Sequence, residues 1–183
     1  QRFKESKHKN TDLATLKVAI AAKLEKLVRL NRTRTDFTEK FESLIESYNN
    51  GSRNIEQLFE ELLKLSNNLD DEQERHIREH LSEEELVIFD ILTRPAPELS
   101  TDERNEVKKV AKDLLLRMKE LLVLNWRQKS AARASLKLAI EDTLDTLPKS
   151  YALPLYTEKC SIIFEHIYES YPELNTGIYA TAS

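Results

Sequence analysis

The chain has 183 residues, a formal net charge of −4, 40% hydrophobic and 33% charged residues, one cysteine and two glycines. That length and apolar fraction support one sizeable domain or two small ones, and the acidic balance excludes a molecule that is basic throughout. Neither Gly51 nor Gly177 is followed by Lys, and no G-x-G-x-x-G can be written, which excludes a Gly-rich phosphate cradle and argues against a fold built on tight strand turns.

The chain opens on Gln1 with the polar, basic stretch QRFKESKHKN. Residues 1–11 read as an arm, and the simplest expectation is a piece excised from a longer protein. After it, Leu13, Leu16, Ile20, Leu24, Leu27 and Val28 recur at spacings of three and four, the stripe of an amphipathic helix. Asp36 with Glu39 has the pattern of a capping box opening a second helix. Its inward face would be Phe37, Phe41, Leu44, Ile45 and Tyr48, and Gly51 stands where a helix C-terminus wants it. A third helix starts near Asn54 and buries Ile55, Leu58, Phe59, Leu62 and Leu65. Ser82 with Glu85 is another capping box, with Leu81 as its staple. The helix that follows, EEELVIFDIL, is apolar nearly all round and therefore central.

Arg94-Pro95-Ala96-Pro97 reads as a rigid connector over residues 94–100. Ser100 and Glu103 then cap a long helix to about Leu124, with Val107, Val110, Leu114, Leu115, Met118, Leu121 and Leu122 inside and a possible kink at Trp126. A helix from Arg127 runs to Pro148. The last one carries Tyr156, Cys160, Ile163, Phe164, Ile167 and Tyr171 on one face and stops at Pro172. The expected architecture is all-α, an irregular bundle of about six to eight helices without a sheet. Residues 12–93 form its N-terminal half, 101–172 the C-terminal half of the same domain, and 173–183 a flexible tail.

His76, Glu79 and His80 spell H-x-x-E-H. That is the ligand pattern of one class of zinc peptidase, two His at i and i+4 with a Glu to move the proton. The weight of the surroundings is against it. His80 abuts the cap of the next helix, and from Asp70 to Asp90 nine acids face two arginines, the composition of a solvated face. A third metal ligand would have to come from elsewhere. Cys160 lies in an apolar stripe and reads as a small hydrophobe rather than a nucleophile. It cannot form an intramolecular disulfide and fits a reducing compartment. No signal peptide is legible, and no run of about 18 apolar residues is present to span a membrane. The electrostatic feature that stands out is RQKSAARASLK. It holds Arg127, Lys129, Arg133 and Lys137 with no acid among them, the last three at i+4 spacing on one helix face. Such a stripe could track phosphates or meet an acidic protein surface.

The runs NRTRTDFTEKFESLIESYNNGS, ERHIREHLSEEELVIFDILTRPAPELSTDERNEVKKVAKDLL, LNWRQKSAARASLKLAIEDTLDTLP and HIYESY resemble, in this order, the C-terminal helical region of the R subunit of type I restriction-modification enzymes. The resemblance covers about Asn31 to Tyr171. It implies a parent that joins a nuclease to an ATP-driven DNA-translocating motor and uses ATP and magnesium, in the bacterial cytoplasm. It implies that this region is neither motor nor nuclease and binds no cofactor or metal of its own. Its partners would be the methyltransferase and specificity subunits and the parent's own motor domains, with no membrane contact. Nothing in the family makes His76, Glu79 and His80 a zinc site.

The expectation is thus a non-catalytic assembly domain that docks the motor subunit onto the methyltransferase-specificity core. The alternative is direct DNA-backbone contact by Arg127, Lys129, Arg133 and Lys137, with a log-log salt slope of roughly −3 to −4 if four phosphates are engaged. A zinc hydrolase on His76, Glu79 and His80 is the remote third.

Overall fold

The computed structural model describes residues 9–173 and 177–180. The described residues form eight α-helices and one short 3-10 turn, and none of them lies in a strand. The all-α class and the helix count expected from the sequence are what the structure shows. The chain divides into two compact units, residues 1–78 and 79–183. The division therefore falls ahead of the proline connector at 94–100, which joins two helices that pack together inside the second unit.

The first unit holds α1 (Lys9–Leu30), the 3-10 turn Arg32–Arg34, α2 (Thr35–Asn49), α3 (Ile55–Gln73) and the single turn α4 (Arg75–Arg78). Helix α1 takes in residues 9–11 of the expected arm; residues 1–8 lie outside the described residues. Leu13, Ile20, Leu24 and Leu27 of α1 and Leu44 of α2 bury against Leu58, Leu62, Leu65 and Leu69 of α3. Phe37, Phe41, Ile45, Tyr48, Ile55 and Phe59 flank this core half-buried. Burying such a leucine fully stabilises by roughly 1.5–3 kcal/mol, so the α3 leucines are what hold the three helices together.

The start of α2 differs from expectation. The helix begins at Thr35 after Arg34, without a side-chain cap, and Asp36 sits in its first turn. The cap has moved upstream. Asn31 Oδ1 accepts from Thr33 N at 3.1 Å and Thr33 Oγ1 at 2.7 Å, closing the 3-10 turn. That turn carries Arg34 inward until it is 0% exposed. Its Nε donates to Glu72 Oε1 at 2.8 Å and its Nη1 to Leu27 O at 3.3 Å. Arg75 Nε binds Glu72 Oε2 at 2.9 Å, so one carboxylate holds two guanidinium groups. Asn54 and Gln57 form a full capping box at the head of α3. Gly51 follows α2 with φ +79°, a conformation that glycine adopts without the Cβ penalty.

The second unit holds α5 (Glu83–Thr93), α6 (Thr101–Leu121), α7 (Ser130–Leu144) and α8 (Leu153–Ser170). They pack in sequence, α5 on α6, α6 on α7 and α7 on α8, and α8 returns to α5. Leu86, Val87, Ile88, Phe89, Ile91 and Leu92 of α5 are all buried, as its all-round apolar sequence predicts. The expected boxes at Ser82/Glu85 and Ser100/Glu103 are both present, with both reciprocal hydrogen bonds. Glu103 does more than cap. Its Oε1 accepts from Ser150 Oγ in the α7–α8 loop while its Oε2 accepts from Ser100 N at 2.9 Å. These bonds, Ser150's first, hold its carboxyl below the usual range.

Helix α6 ends at Leu121, three residues before the expected limit, and no helix runs from Arg127. Leu122 is extended and Asn125 has φ +54°. The turn lets Leu122 and Trp126 both point into the core. Trp126 Nε1 donates to Tyr171 O at 2.8 Å. A helix continued through this stretch could not bury the indole and reach that carbonyl at once.

Helix α8 turns a different face inward from the one its aromatic residues mark. Ile163 and Ile167 are buried, but their companions are Lys159 and Ser170. Tyr156, Cys160 and Phe164 are half-buried. Lys159 is 1% exposed, and its Nζ donates to Ile91 O and to Arg94 O, each at 2.7 Å. Tyr151 Oη donates to Leu92 O at 3.0 Å. The last carbonyls of α5, which no helical N–H can reach, are thus satisfied from 59 to 68 residues away in sequence. Beyond Pro172, described residues 178 and 179 meet the end of α8. Tyr179 is buried with its ring 5.9 Å from that of Tyr171, and Ile178 N donates to Ser170 O at 3.3 Å. Residues 174–176 and 181–183 of the expected tail lie outside the described residues.

Candidate functional site

The H-x-x-E-H stretch does not form the geometry its spacing allows. Helix α4 ends at Arg78, and His80 stands outside any helix with φ +56°. The two imidazoles therefore share no helix face. His76 Nδ1 lies 3.1 Å from Gln73 O, and Glu79 forms an ion pair with Lys108 at 2.6 Å. Among the described residues, no group of three or more His, Cys, Asp or Glu side chains could hold a metal ion. Cys160 is half-buried beside Lys137, Glu141 and Phe164. Burial pushes its thiol up, away from the thiolate form that nucleophiles need.

The basic segment is split by the break ahead of α7. Arg127 lies in the turn rather than on the helix. Its Nη2 donates to Tyr168 O and, at 3.2 Å, to Glu169 O, while the guanidinium stacks on the Tyr168 ring at 4.9 Å. A cation at a helix C-terminus meets the negative end of its dipole, so Arg127 serves α8. Arg133 Nη1 donates back to Arg127 O. Lys137 lies over the Phe164 ring at 4.9 Å. Lys129 is the residue before the first turn of α7, exposed and extended, and gives that helix no side-chain cap. Two of the four cations are thus bound to the protein's own backbone, and the pair left with charge toward solvent is Lys129 and Lys137.

Lys129 lines a groove of about 660 Å³ inside the second unit. Its walls are Glu120, Leu121 and Val123 from the end of α6, Gln128 from the turn, and Ser130, Ala131, Ala132 and Ser135 from the first turns of α7. Val123 in its wall and the next residue, Leu124, are 44% and 63% exposed, and Leu116 stands one turn before Glu120 on α6. Sequence reasoning found the cations and the small residues but missed the groove. The signal for it was the row of leucine and valine at 121–124, more apolar side chains than one helix face can bury.

The sequence model of the family "Type I restriction enzyme HindI endonuclease subunit-like, C-terminal" matches residues 1–172. The chain belongs to this family. A relative, the type I restriction enzyme HindI endonuclease subunit of Haemophilus influenzae, is 24% identical over 147 residues. The match covers 79% of this chain and 14% of that relative, so the chain corresponds to a small part of the HindI-type subunit's length. No solved structure matches the chain. For a HindI-like C-terminal segment, the two helical units are the architecture now described. No described helix is long and apolar enough to cross a membrane.

Proposed function

We propose that this chain is the assembly segment of a type I restriction endonuclease subunit. In this reading it has no catalysis of its own and holds the motor and nuclease parts on the methyltransferase-specificity core in the bacterial cytoplasm. Membership of the C-terminal family over residues 1–172 carries the reading. The inward use of Arg127 and Arg133 supports protein contact over DNA contact. Both side chains are turned to the protein's own backbone carbonyls, which leaves fewer of their N–H donors for a phosphate. Use of ATP and magnesium, DNA translocation and cleavage are assigned to the rest of the parent subunit.

The test is a pull-down of the chain against the methyltransferase-specificity complex, with and without DNA. Binding without DNA supports the docking reading. Binding only through DNA overturns it and moves backbone contact forward. With two cations available, the log-log salt slope for DNA would then be roughly −2 rather than −3 to −4.

A further inference from the structure

We infer that residues 177–180 form a strap that closes on the end of α8 and, through it, keeps the α6–α7 turn in the form that buries Trp126 and draws Arg127 inward. The inference does not depend on the docking reading above. It begins with the carbonyls that α8 cannot satisfy for itself. Those of Tyr168 and Glu169 accept from Arg127, that of Ser170 from Ile178 N at 3.3 Å, and that of Tyr171 from Trp126 Nε1 at 2.8 Å. Four successive carbonyls are thus shared between two segments far apart in sequence, the α6–α7 turn and the strap.

Tyr171 is where the two segments meet. It leaves the helix at φ −125° and ψ 71°, so the direction of its carbonyl follows from where its ring is held. Its Oη donates to Glu84 Oε2 at 2.6 Å, and Glu84 Oε1 accepts from Lys119 Nζ at 2.8 Å. The His166 ring meets it edge-on at 6.4 Å. The strap adds two further contacts. Tyr179 packs its ring at 5.9 Å, and Gly177 comes so close that a Cβ there would lie 3.1 Å from Tyr171 Cδ1 and 3.4 Å from Ser170 O. Tyr171 is 6% exposed and fixed at its hydroxyl, so a bulky side chain at 177 lifts the strap rather than moving the ring. With the strap seated, Tyr171 O faces the indole and Arg127 stays on α8. With it lifted, the last turn of α8 loses its anchor at Ser170, and the α6–α7 turn that leans on the neighbouring carbonyls loosens with it. Strap, α8 end and α6–α7 turn then open as one local unit while α5 and the body of α6 stay closed.

The experiment measures native-state amide exchange of the 183-residue chain by NMR, together with acrylamide quenching of Trp126, the single tryptophan and 0% exposed. Gly177→Val lifts the strap and Tyr179→Ala removes its ring. Ser100→Ala removes the cap at the opposite end of α6 and controls for a general loss of stability. The reporting amides are those of Trp126, Gln128 and Lys129, which bond within the turn to Val123 O, Asn125 O and Trp126 O. Both strap variants should speed their exchange by about 10-fold, the size of one aromatic pair and one backbone hydrogen bond, and should make the indole accessible to acrylamide. The amides of α5 and of the body of α6 should exchange as in wild type, and Ser100→Ala should leave the turn and the indole unchanged. Circular dichroism establishes folding; should Gly177→Val not fold, Tyr179→Ala decides. Turn amides and quenching that stay at wild-type values overturn the strap. So does an equal acceleration throughout residues 79–183, which is an ordinary contribution to stability with no local unit.

Discussion

Replacing Lys159 by methionine tests whether a buried ammonium holds the end of α5. Methionine keeps the length and most of the apolar stem, so packing changes little. The change deletes two short hydrogen bonds, to Ile91 O and Arg94 O. Hydrogen bonds to charged groups contribute roughly 1.5–3 kcal/mol each, but Arg94 is exposed and its carbonyl regains water. Ile91 is buried, and its carbonyl does not. Against this, the wild-type chain holds an ammonium at 1% exposure, and desolvation lowers its pKa. Removing the charge relieves that cost and strands no opposite charge. The expected net loss near neutrality is therefore about 1–2 kcal/mol, below the ~3–5 kcal/mol of breaking a buried ion pair.

The pH dependence is the sharper readout. Between the lowered folded pKa and the ordinary lysine value, the unfolded chain carries more protons than the folded one. Wild-type stability therefore rises with pH across that window, by up to ~1.4 kcal/mol per pH unit, and the methionine variant lacks this slope. Denaturant unfolding followed by the fluorescence of Trp126 reports on residues 79–183, because it is the single tryptophan and it is fully buried there. The gap between wild type and variant should widen as pH approaches about 10. A gap that stays flat refutes the lowered Lys159 pKa, and a variant as stable as wild type at neutrality refutes the carbonyl-bound ammonium.

Trp126→Phe keeps most of the ring volume but leaves the Tyr171 carbonyl without its donor; it should cost about 1–3 kcal/mol, read by helix ellipticity since the fluorophore is gone. Arg34→Met removes one of the two guanidinium groups on Glu72 and the donor to Leu27 O. With Arg75 still in place, the loss should fall near the lower end of the ~3–5 kcal/mol for a broken buried pair, seen as lost amide-exchange protection in α1 and α3. Ser150→Ala removes the leading cause of Glu103's lowered pKa. An NMR titration should find that carboxyl closer to its ordinary value. The acid side of the stability curve should change with it: wild type loses the Glu103 contribution only as pH falls through the depressed pKa, and the variant loses it earlier.

What the sequence made legible was what is local. The boxes at Ser82/Glu85 and Ser100/Glu103 are decided within four residues, and the stripes of α1, α3 and α6 within one helix. What it hid depends on partners far along the chain. Lys159 stands at helical spacing with Ile163 and Ile167, but a periodic reading sends lysine to solvent and takes Cys160 and Phe164 inward instead. Nothing near Lys159 shows that one carbonyl of α5 and one just past its end await it. Arg34 was passed over for the same reason. The break at 122–129 contains neither Gly nor Pro; the sequence places a kink at Trp126, and asparagine at 125, which tolerates positive φ, is the mark of how far it reaches. A helix begun at Arg127 puts that residue on α7 with Lys129, Arg133 and Lys137, whereas the structure starts α7 at Ser130.

Glu103 couples two loops that look independent. The 94–100 connector and the α7–α8 loop hang from one carboxylate, through Ser100 and Ser150. Length change in either loop therefore propagates: an insertion that shifts Ser150 also loosens the head of α6, and one that shifts Ser100 frees the α7–α8 corner. Homologues that lengthen one loop should show compensating change in the other, and an engineer adding a tag to either would perturb both.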